Sequence, residues 1–580
     1  MAASRVHSRL RARWAAAVAA IALLLTGCSG NVDLDTEDPE PTPSQTEAAP
    51  RPVSEATAPE APATLLPASD PAEVAVGVSR TYLTAAQVAI LAPQGDRAAV
   101  LRAASIGAAT GAPVLLSDAQ PGSLDTELLR LGVVGVVTVG AVDLTQIDTT
   151  SLIVAPAPED AEELGEQFAV ALTAVEMPPG GDDADDVAAL LALEPGQVFA
   201  PGEQSESSEE STSESASPSS PGQEPTAVGE LPPLAPPVQV ESSTVLSDGD
   251  ASQVAGLGTA LGVGADVVRV NGDIRGDTTA IEALAEHQPE TVLGLGAGMG
   301  SEAEFGWRAA TAQTGVQLPG GGQLVFDAKR YVALYGSPVT SSLGLLGEQG
   351  VEETIDRAAA YARKYDDLTD DTVVPALEII VTVASGTAGE DGNYSNEWSS
   401  DTFLPLIEAA ADAGQYVVLD FQPGRSTFLE QVQEYEDLLA FPNVGVALDP
   451  EWRLGDDQVH LQQIGSVGIG EVNDVVHYLA DFVQENHLPQ KVIVLHQFQL
   501  RMITDRQDLD VSRTEVALLI HADGQGSQGA KQATWRTLHE DAPDGIHWGW
   551  KNFIDEDQPM LTPAETYSDV DPVPDFVSYQ

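Results

Sequence analysis

Basic side chains, cysteine and aromatic rings are all scarce in this chain. Its 580 residues include 26 lysines and arginines against 89 aspartates and glutamates, and the formal net charge is -63. No lysine precedes Lys329. A surface of this sign repels phosphate backbones and anionic bilayers, which argues against nucleic acid as a partner. The single cysteine, Cys28, excludes an intramolecular disulfide framework, so burial alone must hold the folded parts together.

Sequence motifs for several common chemistries are also missing. No Gly-Lys-Ser or Gly-Lys-Thr occurs, which excludes a Walker-type phosphate loop, and neither HExxH nor Gly-x-Ser-x-Gly is found. The glycine cluster over 294–300 closes a predicted strand–helix unit instead of opening one, so it does not fit a dinucleotide fingerprint. We therefore expect no cofactor.

The N-terminus has the parts of a bacterial export signal. Four arginines between positions 5 and 13 precede an apolar run over 15–25, which is short for a membrane span. The run Leu25-Thr26-Gly27-Cys28 follows, and it resembles the bacterial lipobox. The resemblance implies that residues 1–28 are a lipoprotein signal peptide and that Cys28 receives the lipid. The protein would then be anchored to the extracytoplasmic face of the cell membrane. The alternatives are an ordinary secretory signal or a single anchor helix.

Two stretches are too polar to fold by themselves. Residues 29–67 are rich in Pro, Glu, Thr, Ser and Ala with few aromatic residues, and 203–226 form an acidic, serine-rich run. Neither can bury enough apolar surface to offset the entropy of ordering. We predict a disordered tether over 29–67 and a disordered insertion over 203–226.

Between and after these stretches the sequence alternates short apolar runs with small-residue helices. Runs over 88–92, 113–116 and 133–139 predict buried strands, and Gly111 ends a predicted helix over 98–110. The same order recurs over 244–246, 264–270 and 291–296. Strands alternating with helices indicate parallel α/β units. We predict duplicated Rossmann-like α/β repeats over 70–202 and 240–324.

A family resemblance follows from this order. The small-residue helix, the strand Gly111-Ala112-Pro113-Val114-Leu115-Leu116, the helix end Leu129-Arg130-Leu131-Gly132 and the strand Val136–Gly140 are similar to the cell wall-binding repeat 2 family. The similarity covers about 75–155 and, more weakly, 244–297. It implies attachment to a cell-wall polysaccharide or to peptidoglycan.

The remaining segment, 325–580, predicts a TIM-barrel-like (β/α) domain. Seven strand candidates alternate with helices over a length typical of a parallel barrel. Five of the seven tryptophans and all five lysines lie in this segment. The predicted strands are 331–335, 376–383, 416–421, 444–448, 491–495, 515–520 and 545–550.

Polar residues follow the apolar runs of these strands. The carboxyl ends of barrel strands meet at one mouth, where barrel enzymes place their active sites. Cleavage of a glycosidic bond needs two carboxyl groups, so Asp449 or Glu451 is the candidate acid and Asp420 its partner. The segments Val417–Phe421 and Ala447–Trp452 resemble the strand ends of glycoside hydrolase barrels in general. The predicted substrate-binding residues are Gln422, Trp452, His496, Gln497, His521, Asp523, Trp548, Trp550 and Lys551. Of these, we expect His496 and His521 to orient the substrate, and the tryptophans to supply flat apolar platforms for sugar faces.

Three histidines raise the question of a metal. His496, His521 and His547 lie near predicted strand ends, with Asp523 or Asp420 as a further ligand, but their spacing carries no ligand motif. We rank sugar contact above metal binding and predict no metal.

Together these features predict a lipid-anchored protein of the cell envelope that binds a cell-wall polymer. The further hypothesis is that its barrel hydrolyses a glycan. The alternatives are a non-catalytic envelope scaffold or adhesin, and a solute-binding protein with a deep cleft between the repeats. The sequence does not indicate an oligomeric state.

Overall fold

The computed structural model describes residues 49–202 and 230–580, apart from positions 118, 121, 146 and 182–184. The predicted signal peptide with Cys28 and the predicted acidic insertion lie outside the described residues. None of the helices in the described ranges combines the length and the apolar character that a membrane span requires.

The first sheet has four parallel strands. Every side chain of Val88–Ala92 is buried, as its continuous apolar run predicts. This strand lies inside the sheet, where both of its faces are covered by helices. In spatial order the strands are Val114–Leu116, Val88–Ala92, Gly135–Thr138 and Ile153–Pro156.

The second sheet also has four parallel strands, and one of them corrects the predicted tether. Ala63–Leu66 falls within the segment 29–67, yet it pairs in parallel with Thr291–Leu295. Leu65 of this strand is buried, so a sheet edge supplies the burial that the segment lacks by itself. In spatial order the strands are Asp266–Arg269, Ser243–Ser247, Thr291–Leu295 and Ala63–Leu66.

Helices fill the space between the two sheets. Arg97–Thr110 and Val254–Gly262 approach so closely that a Cβ on Gly258 would lie 2.6 Å from the Cα of Ala104. The Thr259 hydroxyl also accepts a hydrogen bond from the Val114 N–H at 2.9 Å. A cavity of about 220 Å³ remains beside Arg97. The packed helices stand where the solute-binding alternative requires a deep cleft.

Short strand pairs and eight helices complete the described part of this region. Three further strand pairs connect its parts: Arg51–Pro52 with Leu234–Ala235, Ser54–Ala56 with Leu83–Ala86, and Thr173–Val175 with Gln197–Phe199. The helices are Pro71–Tyr82, Arg97–Thr110, Ser123–Leu131, Ala161–Phe168, Asp186–Leu191, Val254–Gly262, Thr278–His287 and Glu302–Gln313.

The C-terminal region is a closed barrel of eight parallel strands, which confirms the predicted TIM-like barrel. The eighth strand was missing from the prediction. It pairs with the first strand and closes the barrel. The strands are β1 (Lys329–Ser337), β2 (Thr372–Ala384), β3 (Tyr416–Phe421), β4 (Val444–Leu448), β5 (Lys491–Gln497), β6 (Val516–Ala522), β7 (His547–Asn552) and β8 (Phe576–Tyr579).

Helices surround most of the barrel. The connection from β5 to β6 differs, because it contains the 3₁₀ turns Leu500–Met502 and Arg506–Asp508 and a two-residue strand but no α-helix. Short strands extend some loops: Thr340–Gly344, Ser395–Glu397, Val467–Gly468 and Ile503–Thr504. The helices are Val351–Ala362, Leu404–Asp412, Phe428–Glu434, Glu436–Leu439, Ile469–Glu485, Gln528–His539 and Pro563–Asp569.

The barrel interior changes character along its axis. Near the amino ends of the strands it is apolar, with Tyr331, Tyr416 and Phe576 packed against one another. The Tyr331 hydroxyl donates to the Val325 carbonyl, which lies before β1. Because this end is filled, the polar residues near the carboxyl ends of the strands stand above a closed floor.

Candidate active site

A cavity of about 630 Å³ opens at the carboxyl ends of the barrel strands. This volume is within the usual range for small-molecule sites. Half of the predicted mouth residues line it. They are Gln422, Asp449, Glu451, Trp452, Asp523 and Lys551.

Asp523 follows β6 and is held by two cationic neighbours. Its Oδ1 is 3.1 Å from Nζ of Lys551, and its Oδ2 is 2.7 Å from Nδ1 of His496. Burial by itself raises the pKa of Asp523, but the charges of Lys551 and His496 outweigh it and hold the pKa well below its usual value. Asp523 is therefore an ionised carboxylate on the cavity wall.

Glu451 lines the same cavity, but its pKa is shifted in the opposite direction. Burial and the nearby charge of Asp523 raise its pKa to about 7. It sits in the turn Pro450–Trp452 directly after β4, and its backbone N–H donates to Oδ1 of Asp449 at 3.3 Å. Glu451 can therefore carry a proton near neutral pH.

Asp449 is buried beside these two groups. Burial and then the charge of Glu451 raise its pKa well above the usual value. Oxygen atoms of Asp449 and Asp523 and a nitrogen of His496 lie within 4.8 Å of one another. Burial and the charge of Glu451 therefore favour the protonated form of Asp449 beside the ionised Asp523, which is how two close carboxyl groups share charge.

The structure corrects the position predicted for Asp420. This residue has no exposed surface, and it does not line the cavity. The Tyr335 hydroxyl donates to its Oδ2 at 2.8 Å, and burial raises its pKa to about 6. Asp420 is the fifth residue of β3 and points into the barrel, one layer below the cavity wall.

His496 and His521 are also below the cavity and have no exposed surface. Nε2 of His521 is 3.2 Å from the Ser578 hydroxyl, and burial lowers the pKa of His521 to about 3, so this imidazole is neutral. Gly549 of β7 makes room for it, because a Cβ there would lie 2.7 Å from Cδ2 of His521. Both histidines were predicted to orient the substrate, but neither lines the cavity and so neither is placed to contact a substrate there.

Glu378, which was not among the residues predicted from the sequence, lies within β2 at the centre of this interior layer. Its Oε1 is 2.6 Å from Nε2 of His496 and 3.9 Å from Nδ1 of His521. Glu378 is the only charged residue between Thr372 and Ala384. Side chains of a strand point alternately into and out of the barrel, and Glu378 is on the inward-facing side of β2. The alternation of side chains along this strand was therefore the sequence signal that could have identified it.

The aromatic residues divide into two groups. Trp452 lines the cavity and lies 4.7 Å from the ring of His460, a second wall residue that the sequence analysis did not identify. Trp548 and Trp550 pack instead against Trp535 of the helix Gln528–His539. Both face outward because they alternate along β7 with Gly549 and Lys551, which face inward. Neither of these two tryptophans therefore lines the cavity, where a sugar platform was predicted.

Gln497 and His547 are likewise away from the cavity. The Gln497 side chain accepts from Arg506 at 2.9 Å and holds the β5–β6 connection. His547 begins β7 and so lies at the amino end of the barrel, stacked on Phe326 at 4.1 Å. It cannot join His496 and His521 around one ion, because these two lie near the carboxyl ends of their strands.

Other donor atoms lie close enough together to be considered for a metal. Atoms of Glu378, His496 and His521 come within 4.8 Å of one another. However, each nitrogen of His496 already contacts a carboxylate, and Lys551 brings an ammonium group to Asp523. Positive charge for the interior carboxylates is thus supplied by side chains, and the arrangement favours acid–base chemistry.

Comparison with known proteins gives remote likenesses only. No protein-family model and no curated protein matches the chain. Among solved structures, Cwp6 from Clostridium difficile is 14% identical with a TM-score of 0.31, covering 62% of this chain and 63% of that one. Cwp8 from Clostridium difficile is 15% identical with a TM-score of 0.29, covering 44% and 53%.

A third solved structure is the complex of the xylanase-alpha-amylase inhibitor protein XAIP-I with trehalose. It is 13% identical with a TM-score of 0.27, covering 43% of this chain and 92% of that one. This chain thus spans less than two thirds of Cwp6 and of Cwp8. Overlap at this level transfers no property of those proteins to this chain.

Proposed function

We propose that the barrel hydrolyses a glycosidic bond in a cell-wall glycan, with Glu451 as the general acid and Asp523 as the ionised carboxylate. The observation that carries the proposal is that two carboxyl groups line one cavity in contrasting surroundings: Asp523 contacts Lys551 and His496, whereas Glu451 has no ion pair among the described residues. These surroundings raise the pKa of Glu451 to about 7 and lower that of Asp523. Carboxyl groups whose environments push their pKa values apart are the pattern of an acid and its partner.

Each carboxyl group has a distinct task in this chemistry. Protonated Glu451 donates its proton to the leaving-group oxygen, and ionised Asp523 serves the opposite side as base or nucleophile. Oδ1 of Asp523 forms an ion pair with Lys551 and its Oδ2 is hydrogen-bonded to His496, but each oxygen keeps a second lone pair for water or substrate. Lys551 and His496 stabilise the negative charge of Asp523 through their direct contacts with its two oxygens.

The cavity wall offers contacts of the kind that sugars use. The half-buried Trp452 presents an apolar face, and Phe553 adds a second aromatic ring. Gln422 fixes its own position by accepting a hydrogen bond from the Ala384 N–H at 3.2 Å. A flat apolar face beside amide and carboxyl groups suits a sugar ring, which has apolar faces and a polar rim.

Attachment to the cell envelope is the second part of the proposal. Its support is the lipobox-like run ending at Cys28 and the cell wall-binding repeat pattern over 75–155 and 244–297. The shared order of three strands in the two α/β sheets, with the first strand central between the second and third, supports a duplication. We infer a lipid-anchored envelope protein that brings the barrel to its polymer.

The test is turnover of fractionated cell-wall glycans by the purified full chain, measured as new reducing ends over time. Glu451→Gln and Asp523→Asn should each lower the rate by about 10²- to 10⁴-fold. Asp457→Asn is the matched control, because Asp457 is exposed in the loop that follows Glu451 and its change removes the same charge. Unchanged turnover in Glu451→Gln would remove this residue from the mechanism. Absence of turnover with retained wall binding would leave a non-catalytic envelope scaffold.

A further inference from the structure

A carboxylate–imidazole–carboxylate array connects the barrel interior to the cavity. Nε2 of His496 is 2.6 Å from Oε1 of Glu378, and Nδ1 is 2.7 Å from Oδ2 of Asp523. Of these three residues, only Asp523 lines the cavity. The imidazole therefore bridges an interior carboxylate and a cavity carboxylate.

The two contacts fix the charge of His496. An ionised carboxylate can only accept a hydrogen bond, and a neutral imidazole has a single N–H to donate. Two carboxylates at these distances therefore require hydrogen on both nitrogens. Burial alone lowers the pKa of His496, but the charges of Glu378 and Asp523 raise it well above the usual value. The geometry and the electrostatics both select an imidazolium.

Glu378 contributes charge to this array and very little else. Its Oε2 has no hydrogen-bond partner among the described residues, and its side chain has no exposed surface. Burial opposes its ionisation, yet His496 lowers its pKa below the usual value. The neighbouring His521 is neutral, so His496 is the cation in contact with Glu378.

Other strands also present titratable groups to His496. The nearby carboxyl groups favour the imidazolium, whereas the ammonium group of Lys551 opposes it. The groups that surround the array are Tyr335 on β1, Asp420 on β3, Asp449 and Glu451 at β4, His521 on β6 and Lys551 on β7.

We propose that Glu378 is a positioning residue that acts through His496. Its negative charge keeps the imidazole doubly protonated, and the imidazolium in turn keeps the Asp523 carboxylate ionised and oriented on the cavity wall. The catalytic consequence rests on the function proposed above, but the charge state of His496 is independent of it.

The direct experiment is NMR of the full chain with ¹⁵N-labelled histidine. The chain has nine histidines, and comparison with His496→Gln assigns the resonances of interest. His496 should show two protonated ring nitrogens at a pH about one unit above the ordinary histidine value of about 6.5. A singly protonated His496 at that pH in the wild-type protein would overturn the proposal, with no need for a variant at Glu378.

Glu378→Gln then tests the source of the charge. The amide is nearly isosteric, and its oxygen can still accept from Nε2, so the contact survives while the charge is lost. We expect the titration of His496 to move down by about one pH unit or more. An unmoved titration would refute the role of Glu378.

Asp510→Asn is the matched control, because it removes a carboxylate that lies at a similar distance, 2.7 Å, from an exposed histidine, His477. It should leave the resonances of His496 unchanged.

In turnover assays Glu378→Gln should lower kcat more than it raises KM, and it should move the acidic limb of the pH profile upward as Asp523 becomes easier to protonate. Loss of the histidine shift and loss of turnover are separate readouts, so failure of the proposed function would leave the NMR result standing.

Discussion

Lys491 should make the free energy of unfolding of the barrel rise with pH. It is the first residue of β5 and has no exposed surface. Its Nζ donates to the carbonyls of Phe441 and Val444 at 2.8 Å each, and no carboxylate pairs with it among the described residues. Burial lowers its pKa to about 7.

The sign and size follow from proton binding. The unfolded chain keeps this proton up to a pH of about 10.4, whereas the folded chain releases it at about 7. Between these values the unfolded state binds more protons, so the free energy of unfolding rises with pH. At about 1.4 kcal/mol per pH unit, this one group should add about 3 kcal/mol between about pH 7 and about pH 10.

Lys491→Met removes the titrating group and keeps most of its volume. We expect the wild-type free energy of unfolding, minus that of the variant, to grow by about 3 kcal/mol over this pH range. Urea unfolding followed by tryptophan fluorescence measures both, and all other titrating groups cancel in the difference. Lys364→Met, on an exposed lysine, is the control and should show no such growth. A difference that is the same at both pH values would show that the pKa of Lys491 is not lowered in the folded protein.

Three further substitutions test packing and the cavity. Gly549→Ala places a Cβ 2.7 Å from Cδ2 of His521 and should cost about 1–3 kcal/mol in urea unfolding. Gly258→Ala meets backbone of the facing helix at 2.6 Å and should destabilise the α/β region in thermal unfolding. Gly306→Ala is its control, because its nearest neighbour would be 4.0 Å away and the helix should gain about 0.5–1 kcal/mol. Trp452→Ala should raise KM for glycan by about tenfold with little change in kcat, and an unchanged KM would remove this ring from the binding site.

The barrel was predictable because long apolar strands alternate with helices, but its closure was not. The strand Phe576–Tyr579 has only four residues and follows a stretch rich in Asp and Pro, so no periodic pattern precedes it. It is ordered by pairing with β1 and β7. The strand Ala63–Leu66 was missed for the same reason, since its partner Thr291–Leu295 is distant in sequence.

The sequence was sufficient to locate the candidate site at the carboxyl ends of the barrel strands, but not to assign the role of each residue. Asp449, Glu451 and Asp523 were identified because carboxyl ends of parallel strands converge. Adjacent side chains of a strand point to opposite sides, so only one of two neighbouring residues faces the barrel interior. On β7 this residue is Lys551, whereas Trp550 faces outward. The charge state of each carboxyl group depends on contacts across the barrel, such as that between Glu378 and His496, which no local pattern contains.

The pH dependence of glycan hydrolysis shows directly whether Glu451 acts as the general acid. Initial rates of reducing-end release by the wild-type full chain should fall above about pH 7, as Glu451 loses its proton. In Glu451→Gln the residual rate should lose this basic limb. A wild-type rate that is constant through pH 7, or a basic limb that persists in Glu451→Gln, would show that Glu451 is not the acid.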